Sequence, residues 1–403
     1  MFGIGAWKGV WQVMAPCEVA CKCLGIIPLF LDSKLPLWKQ WVNVGHLLLT
    51  FGLIVRAIWH CLPMELILNL GSTVVQHSGA LMTIVYYAQP FCGVITNRLV
   101  ATQIFEIQGN IDLVQNRFKS LGYELCFRKE RYAIIVSTFS AFSGTSYLLL
   151  LFKVYGIMID VEYTIETIFL TLHCSMTCVY VSCMTYLILK QFISVNALIS
   201  KTFPTNKVSS VETTNSTKCN NVSHYNEEQQ LVNLNEIKMI MDKLNETVDL
   251  VNHTFSIQVL YCVGVSFVIG IVCSFYLFRA VIYRNDQLAM GAINFIWYMY
   301  YLSFVLFFIA IGSRISQEGR RIGITVHKAI NFCNTSGTVI NELIIFSQQL
   351  LHHNPVITCG LFVYDWSLLY TMLGATATYL IILIQFDVSF PSLDVGNSTT
   401  SSL

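Results

Sequence analysis

The sequence predicts an all-α membrane protein of seven transmembrane helices, N-terminus inside and C-terminus outside, with helical extensions on the cytoplasmic side. Three observations carry this. The 403 residues are 55% apolar and 12% charged, at a mean hydropathy of +0.60, whereas soluble domains carry about 25% charged residues. Seven windows reach the length of roughly 20 apolar residues that a bilayer crossing needs: 40–59, 73–95, 133–153, 164–189, 256–278, 292–312 and 358–386. Twenty of the 24 Lys and Arg residues fall on one side of this path, and flanking positive charge stays in the cytoplasm.

Taken in order, the N-terminal segment 1–39 holds Lys8, Lys22, Lys34 and Lys39 and has no uninterrupted apolar core of signal-peptide length. The connections then alternate short and long. Residues 60–72, 154–163 and 279–291 are brief, and carry only Arg279 and Arg284 as basic residues. The long connections 96–132, 190–255 and 313–357 carry the rest, apart from Arg56 and Lys153 within or at the ends of spans. Residues 202–226 are rich in Ser, Thr and Asn and read as a disordered linker. From Leu231 onward, Leu234, Ile237, Met241, Leu244, Val248, Val251 and Phe255 recur every three or four positions, one helical face running into the fifth span. A second stripe, Val339, Ile340, Leu343, Ile344, Leu350 and Leu351, runs until Pro355 breaks it. Such stripes must be buried, either on their own chain or against other subunits. The tail 387–403 carries no basic residue and is expected outside.

The formal net charge of +1 argues against a nucleic-acid partner. Of the 14 cysteines most fall in spans or on the cytoplasmic side, where thiols stay reduced, with Cys61 the main loop cysteine on the other side. The run Cys17-x3-Cys21-x-Cys23 lacks a second ligand pair, so no metal or cofactor is expected. Paired carboxylates, His/Cys metal spacing and a phosphate-binding glycine loop in a suitable context are missing, and the chain does not read as an enzyme. Of six glycosylation sequons, Asn215, Asn221, Asn245, Asn252 and Asn334 fall on the cytoplasmic side and Asn397 outside.

The last span carries the most pointed pattern. Ser367, Thr371, Gly374, Thr378 and Gln385, at spacings of 4, 3, 4 and 7, form one small or polar stripe interrupted by Ile381 and Ile382. A polar residue inside a membrane helix faces other helices or a water-filled path. Around the axis of a cyclic oligomer, Gln385 would supply a ring of amides and Asp387 a ring of carboxylates at the outer mouth. The isoleucine level would make a hydrophobic constriction that gates by dewetting, and cations would be favoured. The alternative on spacing alone is close helix packing through small residues. Tyr379 points away from the stripe.

The nine residues Thr378-Tyr379-Leu380-Ile381-Ile382-Leu383-Ile384-Gln385-Phe386 and the preceding Gly360–Leu369 closely resemble the C-terminal signature of the insect gustatory receptors. A weaker match is Leu244-x3-Val248-x2-Val251-Asn252-x2-Phe255-Ser256, and the first three spans add little beyond length and topology. The resemblance implies a ligand-gated, non-selective cation channel of four subunits around a pore lined by the last helix. It marks Thr378, Tyr379, Gln385 and Phe386 as functional positions. It also implies a small-molecule tastant, a homo- or heterotetramer, and the plasma membrane of chemosensory neurons.

The ligand pocket implied by the resemblance lies in the outer half of each subunit, between the second and sixth helices. Candidates there are Glu166, Phe169 and His173 on one face of the fourth span, and Asn294, Trp297 and Tyr301 on one face of the sixth. Gln76 and His77 open the second span, and Tyr147 lies in the outer half of the third. Aromatic walls with a few hydrogen-bonding groups are how small-molecule sites are built, although Trp297 and Tyr301 also suit interfacial anchoring. Few charges favour a bitter compound over a sugar. Rival readings are a G-protein-coupled chemoreceptor, which needs the opposite topology, and a membrane transporter, which tends to show internal repeats.

Overall fold

The computed structural model describes residues 10–32, 35–67, 73–123, 125, 127–154, 161–204, 220–282, 288–332 and 336–389. Among them are ten helices: α1 (Val10–Cys23), α2 (Leu37–Ile67), α3 (Thr73–Leu99), α4 (Ala101–Ser120), α5 (Arg128–Val154), α6 (Val161–Thr202), α7 (Asn220–Ile282), α8 (Leu288–Phe332), α9 (Gly337–His352) and α10 (Trp366–Ser389). Seven of them, α2, α3, α5, α6, α7, α8 and α10, are long and apolar enough to cross a membrane.

The apolar face that begins at Leu231 belongs to α7, a single helix of 63 residues, about 95 Å long. Leu234, Ile237, Met241, Leu244, Val248, Val251 and Phe255 are buried along it. Helix α9 starts at an N-cap, the Ser336 side chain accepting from the Val339 amide, and buries Val339, Leu343 and Phe346. It ends at His352, before the Asn354-Pro355 pair that disfavours helix.

The N-terminal segment contains α1, which packs on α5 and α6 and buries Cys17 and Cys21 completely. Three expectations need correction. Helix α2 continues past residue 59, so Cys61 is a buried helical thiol 3.7 Å from the Thr167 hydroxyl, not a loop cysteine. The linker expected over 202–226 is helical from Asn220, while residues 205–219 lie outside the described residues, as do 390–403 of the tail. The last span begins at Trp366 rather than 358.

The eight residues ahead of that span form a tight turn. Thr358 bridges Val363, the Tyr364 amide donates to the Ile357 carbonyl (3.0 Å), and Gly360 sits at φ +83°, where a side chain would be strained. The Asp365 carboxylate caps α10 by accepting from the Ser367 amide and hydroxyl, and the hydroxyl holds that carboxyl below its usual pKa range. The turn is held from two sides. Asn252 of α7 donates to the Val356 carbonyl (2.8 Å) and accepts from the Thr358 amide (3.0 Å). Gly312 of α8 lies so close that a Cβ there would stand 2.6 Å from the Tyr364 carbonyl oxygen, and Phe308 packs edge-on against the Tyr364 ring at 5.1 Å.

The interior divides into two cores. The larger lies on the basic side and joins α1, α4, α9, the C-terminal half of α6, the N-terminal part of α7 and the C-terminal half of α8. The second lies toward the opposite ends of α2, α3, α6, α7 and α8. Helix α6 is the central post, with 94% of its most apolar window buried, against 6% for α10.

Candidate functional site: an aromatic chamber and the terminal helix

Helices α3, α6 and α8 converge in the second core on four aromatic rings. Trp297 and Tyr301, one turn apart on α8, stand edge-on to each other at 5.8 Å. Tyr86 of α3 meets both, at 5.1 Å from Trp297 and 6.0 Å from Tyr301, and its hydroxyl hydrogen-bonds Thr171 of α6 at 2.8 Å. Tyr87 packs beside it. On α6, Phe169 and His173 lie 6.3 Å apart, ring to ring. Pro90 within α3 has no amide proton to give the Tyr86 carbonyl, which loosens the helix next to these rings.

Polar groups below the rings lack protein partners. His173 is fully buried and neither ring nitrogen is hydrogen-bonded. The same holds for both side-chain polar atoms of Gln258 and for the Ser266 hydroxyl on α7, and for the Gln89 carbonyl oxygen on α3. Leaving such a group unpaired costs about 1–3 kcal/mol. Gln258, with Thr177, Ser182 and Phe308, lines a cavity of about 20 Å³ between α6, α7 and α8, room for one water-sized group. The rings and the unpaired polar groups thus stand on neighbouring helices, while the small cavity is lined by none of the four rings.

Of the residues proposed from sequence, Phe169, His173, Trp297 and Tyr301 come together here. Asn294 is half-buried one turn from Trp297. Glu166 is buried near the chamber but ion-paired through Oε1 with Arg56 Nε at 3.3 Å, its Oε2 standing 3.1 Å from His60 Nδ1, with Glu162 as a further partner of Arg56. Gln76, His77 and Tyr147 are exposed and outside the cluster. Tyr86 and Tyr87 were missed. The signal available was two tyrosines inside a span, four and three residues ahead of a proline.

On α10 the stripe residues Ser367, Thr371, Gly374, Thr378 and Gln385 are all exposed, and so are Ile381, Ile382 and Phe386. The Thr371 and Thr378 hydroxyls bond back to carbonyls of their own helix, Ser367 and Gly374. No hydrogen bond from a described residue reaches the Gln385 side-chain amide, although the Ser389 hydroxyl donates to its backbone carbonyl. Tyr379 leaves the stripe and packs edge-on to Phe267 of α7 at 6.0 Å. Asp387 departs from the expected ring of free carboxylates: it is buried, and its Oδ2 lies 3.3 Å from Arg279 Nε at the end of α7. A carboxylate leaving water there is compensated by one of the two basic residues on that side.

The family model of the 7tm chemosensory receptors matches residues 17–390. Among curated relatives, the chain is 30% identical over 157 residues to putative gustatory receptor 28b of Drosophila melanogaster, covering 37% of this chain and 33% of that protein. It is 28% identical over 178 residues to the same fly's gustatory receptor for bitter taste 66a, covering 42% and 33%. The matched stretches thus span about a third of the length of these relatives. Among solved structures, the insect olfactory receptor OR5 from Machilis hrabei superimposes with a TM-score of 0.67 over 93% of this chain and 98% of that one, at 11% identity. The same receptor in complex with eugenol gives 0.63 at 12% identity, with the same coverage.

Proposed function

This chain belongs to the 7tm chemosensory receptor family, and on that premise we propose that it is a gustatory receptor subunit forming a tastant-gated, non-selective cation channel. The observation that carries the reading is α10. It is the least buried span and carries an exposed polar stripe that ends in an unpartnered Gln385. Lipid tolerates such an amide poorly. A tetramer that turns the stripe of each copy toward a common axis gives every Gln385 water and neighbouring amides. The Ile381/Ile382 level supplies the constriction, and Thr378 and Phe386 flank it.

Ligand entry and pore opening join through α8. A tastant that separates Trp297 and Tyr301 from Tyr86 displaces α8 against α3 and α6. The same helix grips the turn ahead of α10 at Gly312 and Phe308. Displacement of α8 is thereby passed to the start of the pore helix, while Asn252 ties that turn to α7. The ligand class we propose is a bitter compound: the chamber is aromatic, its one nearby carboxylate is ion-paired, and one relative is a receptor for bitter taste. The basic connections support an N-terminus inside, and the proposed site of action is the plasma membrane of chemosensory neurons.

The test is Gln385→Ala, expressed alone and with related subunits and challenged with tastant panels. Unitary conductance or cation selectivity changes while surface expression stays near normal. Currents identical to wild type would remove Gln385 from the ion path.

A further inference from the structure

On the basic side, the segment before α2 and the ends of α2 and α3 enclose a cavity of about 250 Å³. Its walls include Phe30, Leu31, Val44 and Leu47, and Arg98 of α3 reaches into the same space. The guanidinium is tethered without being neutralised. Its Nη2 lies 2.9 Å from His46 Nδ1, and the Asn43 and Gly25 carbonyls stand at 3.4 and 3.5 Å. Its Nε is buried with no hydrogen-bond partner. Among the described residues the ion-paired arginines are Arg56, Arg117, Arg279 and Arg321, and Arg98 is not one of them.

A second cation stands at the rim. Lys39 Nζ lies 5.1 Å from the centroid of the Phe30 ring, itself a wall of the cavity, and 5.6 Å from that of Trp38. Asp32 is the wall's one carboxylate among the described residues, so the two cations exceed it. Trp38 and Trp41, 59% and 68% exposed on the first turns of α2, mark the level of an interfacial aromatic belt. Beyond them the exposed Leu48, Leu49 and Leu53 continue along the lipid-facing side of α2.

We propose that this cavity binds the phosphate of an anionic phospholipid from the leaflet on the basic side. Arg98 holds the phosphate as a charge-assisted donor, Lys39 adds charge at the rim, and an acyl chain lies along Val44 and Leu48. Free phosphate would share the contact with Arg98 but gain nothing from the apolar walls. A zwitterionic lipid would bring a third cation to a site that already has an excess of them.

The full-length protein, purified in a defined mixture of phosphatidylcholine and phosphatidylglycerol, tests this by native mass spectrometry. Both lipids offer a phosphate to Arg98, but only phosphatidylcholine brings an ammonium against the two cations, so wild type retains phosphatidylglycerol about tenfold above its share of the mixture. Arg98→Gln loses the preference and Arg98→Lys keeps part of it. Val44→Trp, at a site 44% exposed, fills the mouth without touching the charge and also releases the lipid, so it decides the matter if Arg98→Gln does not fold. Retention without preference in wild type, or undiminished preference in both Arg98→Gln and Val44→Trp, overturns the proposal. Stoichiometric displacement by millimolar inorganic phosphate also overturns it, in favour of a free-anion site.

Discussion

Asn252→Ala is the substitution through which the link between the bundle and α10 can be weighed. It removes both hydrogen bonds that hold the turn to α7, the donation to the Val356 carbonyl at 2.8 Å and the acceptance from the Thr358 amide at 3.0 Å. Each is worth about 1 kcal/mol net, and a stranded partner adds up to about 1–3 kcal/mol. Because Val356 and Thr358 are only half-buried, water recovers part of the loss and about 2 kcal/mol remains. That corresponds to roughly a 30-fold change in an equilibrium constant. The aromatic chamber is untouched, so ligand affinity of the resting state should not change. The expected result is a melting temperature several degrees lower in detergent and a reduced maximal tastant current, with the half-maximal concentration within about threefold of wild type, given the intact ring contacts. Asn252→Asp keeps the acceptor for the Thr358 amide and loses the donor, and should fall between the two. Wild-type melting together with wild-type maximal current in Asn252→Ala would refute the reasoning. The Asn252 sequon supplies a second reading: its amide nitrogen already serves Val356, so glycosidase treatment should release nothing from this position.

Trp297→Ala removes the ring that stacks edge-on to both Tyr86 and Tyr301. Tastant potency should fall by tenfold or more, the scale of an aromatic anchor worth about 2 kcal/mol, with maximal current largely kept; equal loss of both would assign the ring to folding. Arg279→Gln and Asp387→Asn should each reduce surface expression. Asp387 is buried while Arg279 is only partly so, and breaking the pair costs less than the ~3–5 kcal/mol of a fully buried one. The double variant should recover most of the expression. A double variant as impaired as the sum of the singles would deny the coupling. An epitope after Leu403 should stain on intact cells, and staining only after permeabilisation would reverse the assigned orientation.

Span number and order were legible because apolar length is a direct requirement of the bilayer, and α7 and α9 because their stripes repeat at helical spacing. The same periodicity put Phe169 with His173 and Trp297 with Tyr301, since residues three and four apart must share a face. It could not rank faces between helices. Gln76, His77 and Tyr147 lie at suitable depth yet turn outward, because depth along a span leaves rotation undetermined. Tyr86 and Tyr87 are adjacent, so they leave α3 in different directions and no single-face pattern marks them, and the role of Tyr86 appears only when α3 meets α8. Asp387 shows the complementary failure. Its neighbours in sequence carry no cation, whereas the chain brings Arg279 to it from the end of α7. Helix α1 was hidden by Lys22, Glu18 and Pro16 within a short apolar run, although the Lys22–Glu18 pair closes at 2.6 Å on one helical face.

The division into two cores follows from the solvent each half meets. Apolar burial is driven by the alternative of exposure to water, and that alternative exists for the extensions but not for helices already in lipid. The extension core accordingly buries Phe118, Phe192, Leu244, Ile322 and Phe346 almost completely and fixes α7 and α8 at their basic-side ends. In the lipid-embedded half the same helices are held by edge-on rings and a few hydrogen bonds, with His173, Gln258 and Ser266 left unpaired. A ligand that supplies hydrogen bonds there works against weak contacts, while the far ends stay clamped. Helix α8 belongs to both halves, and Gly312, where it touches the turn ahead of α10, lies between Trp297 in the compliant half and Ile322 in the rigid one. On the proposed gating, the position of that contact would let a small displacement in the chamber reach the terminal helix without unfolding the bundle that carries both.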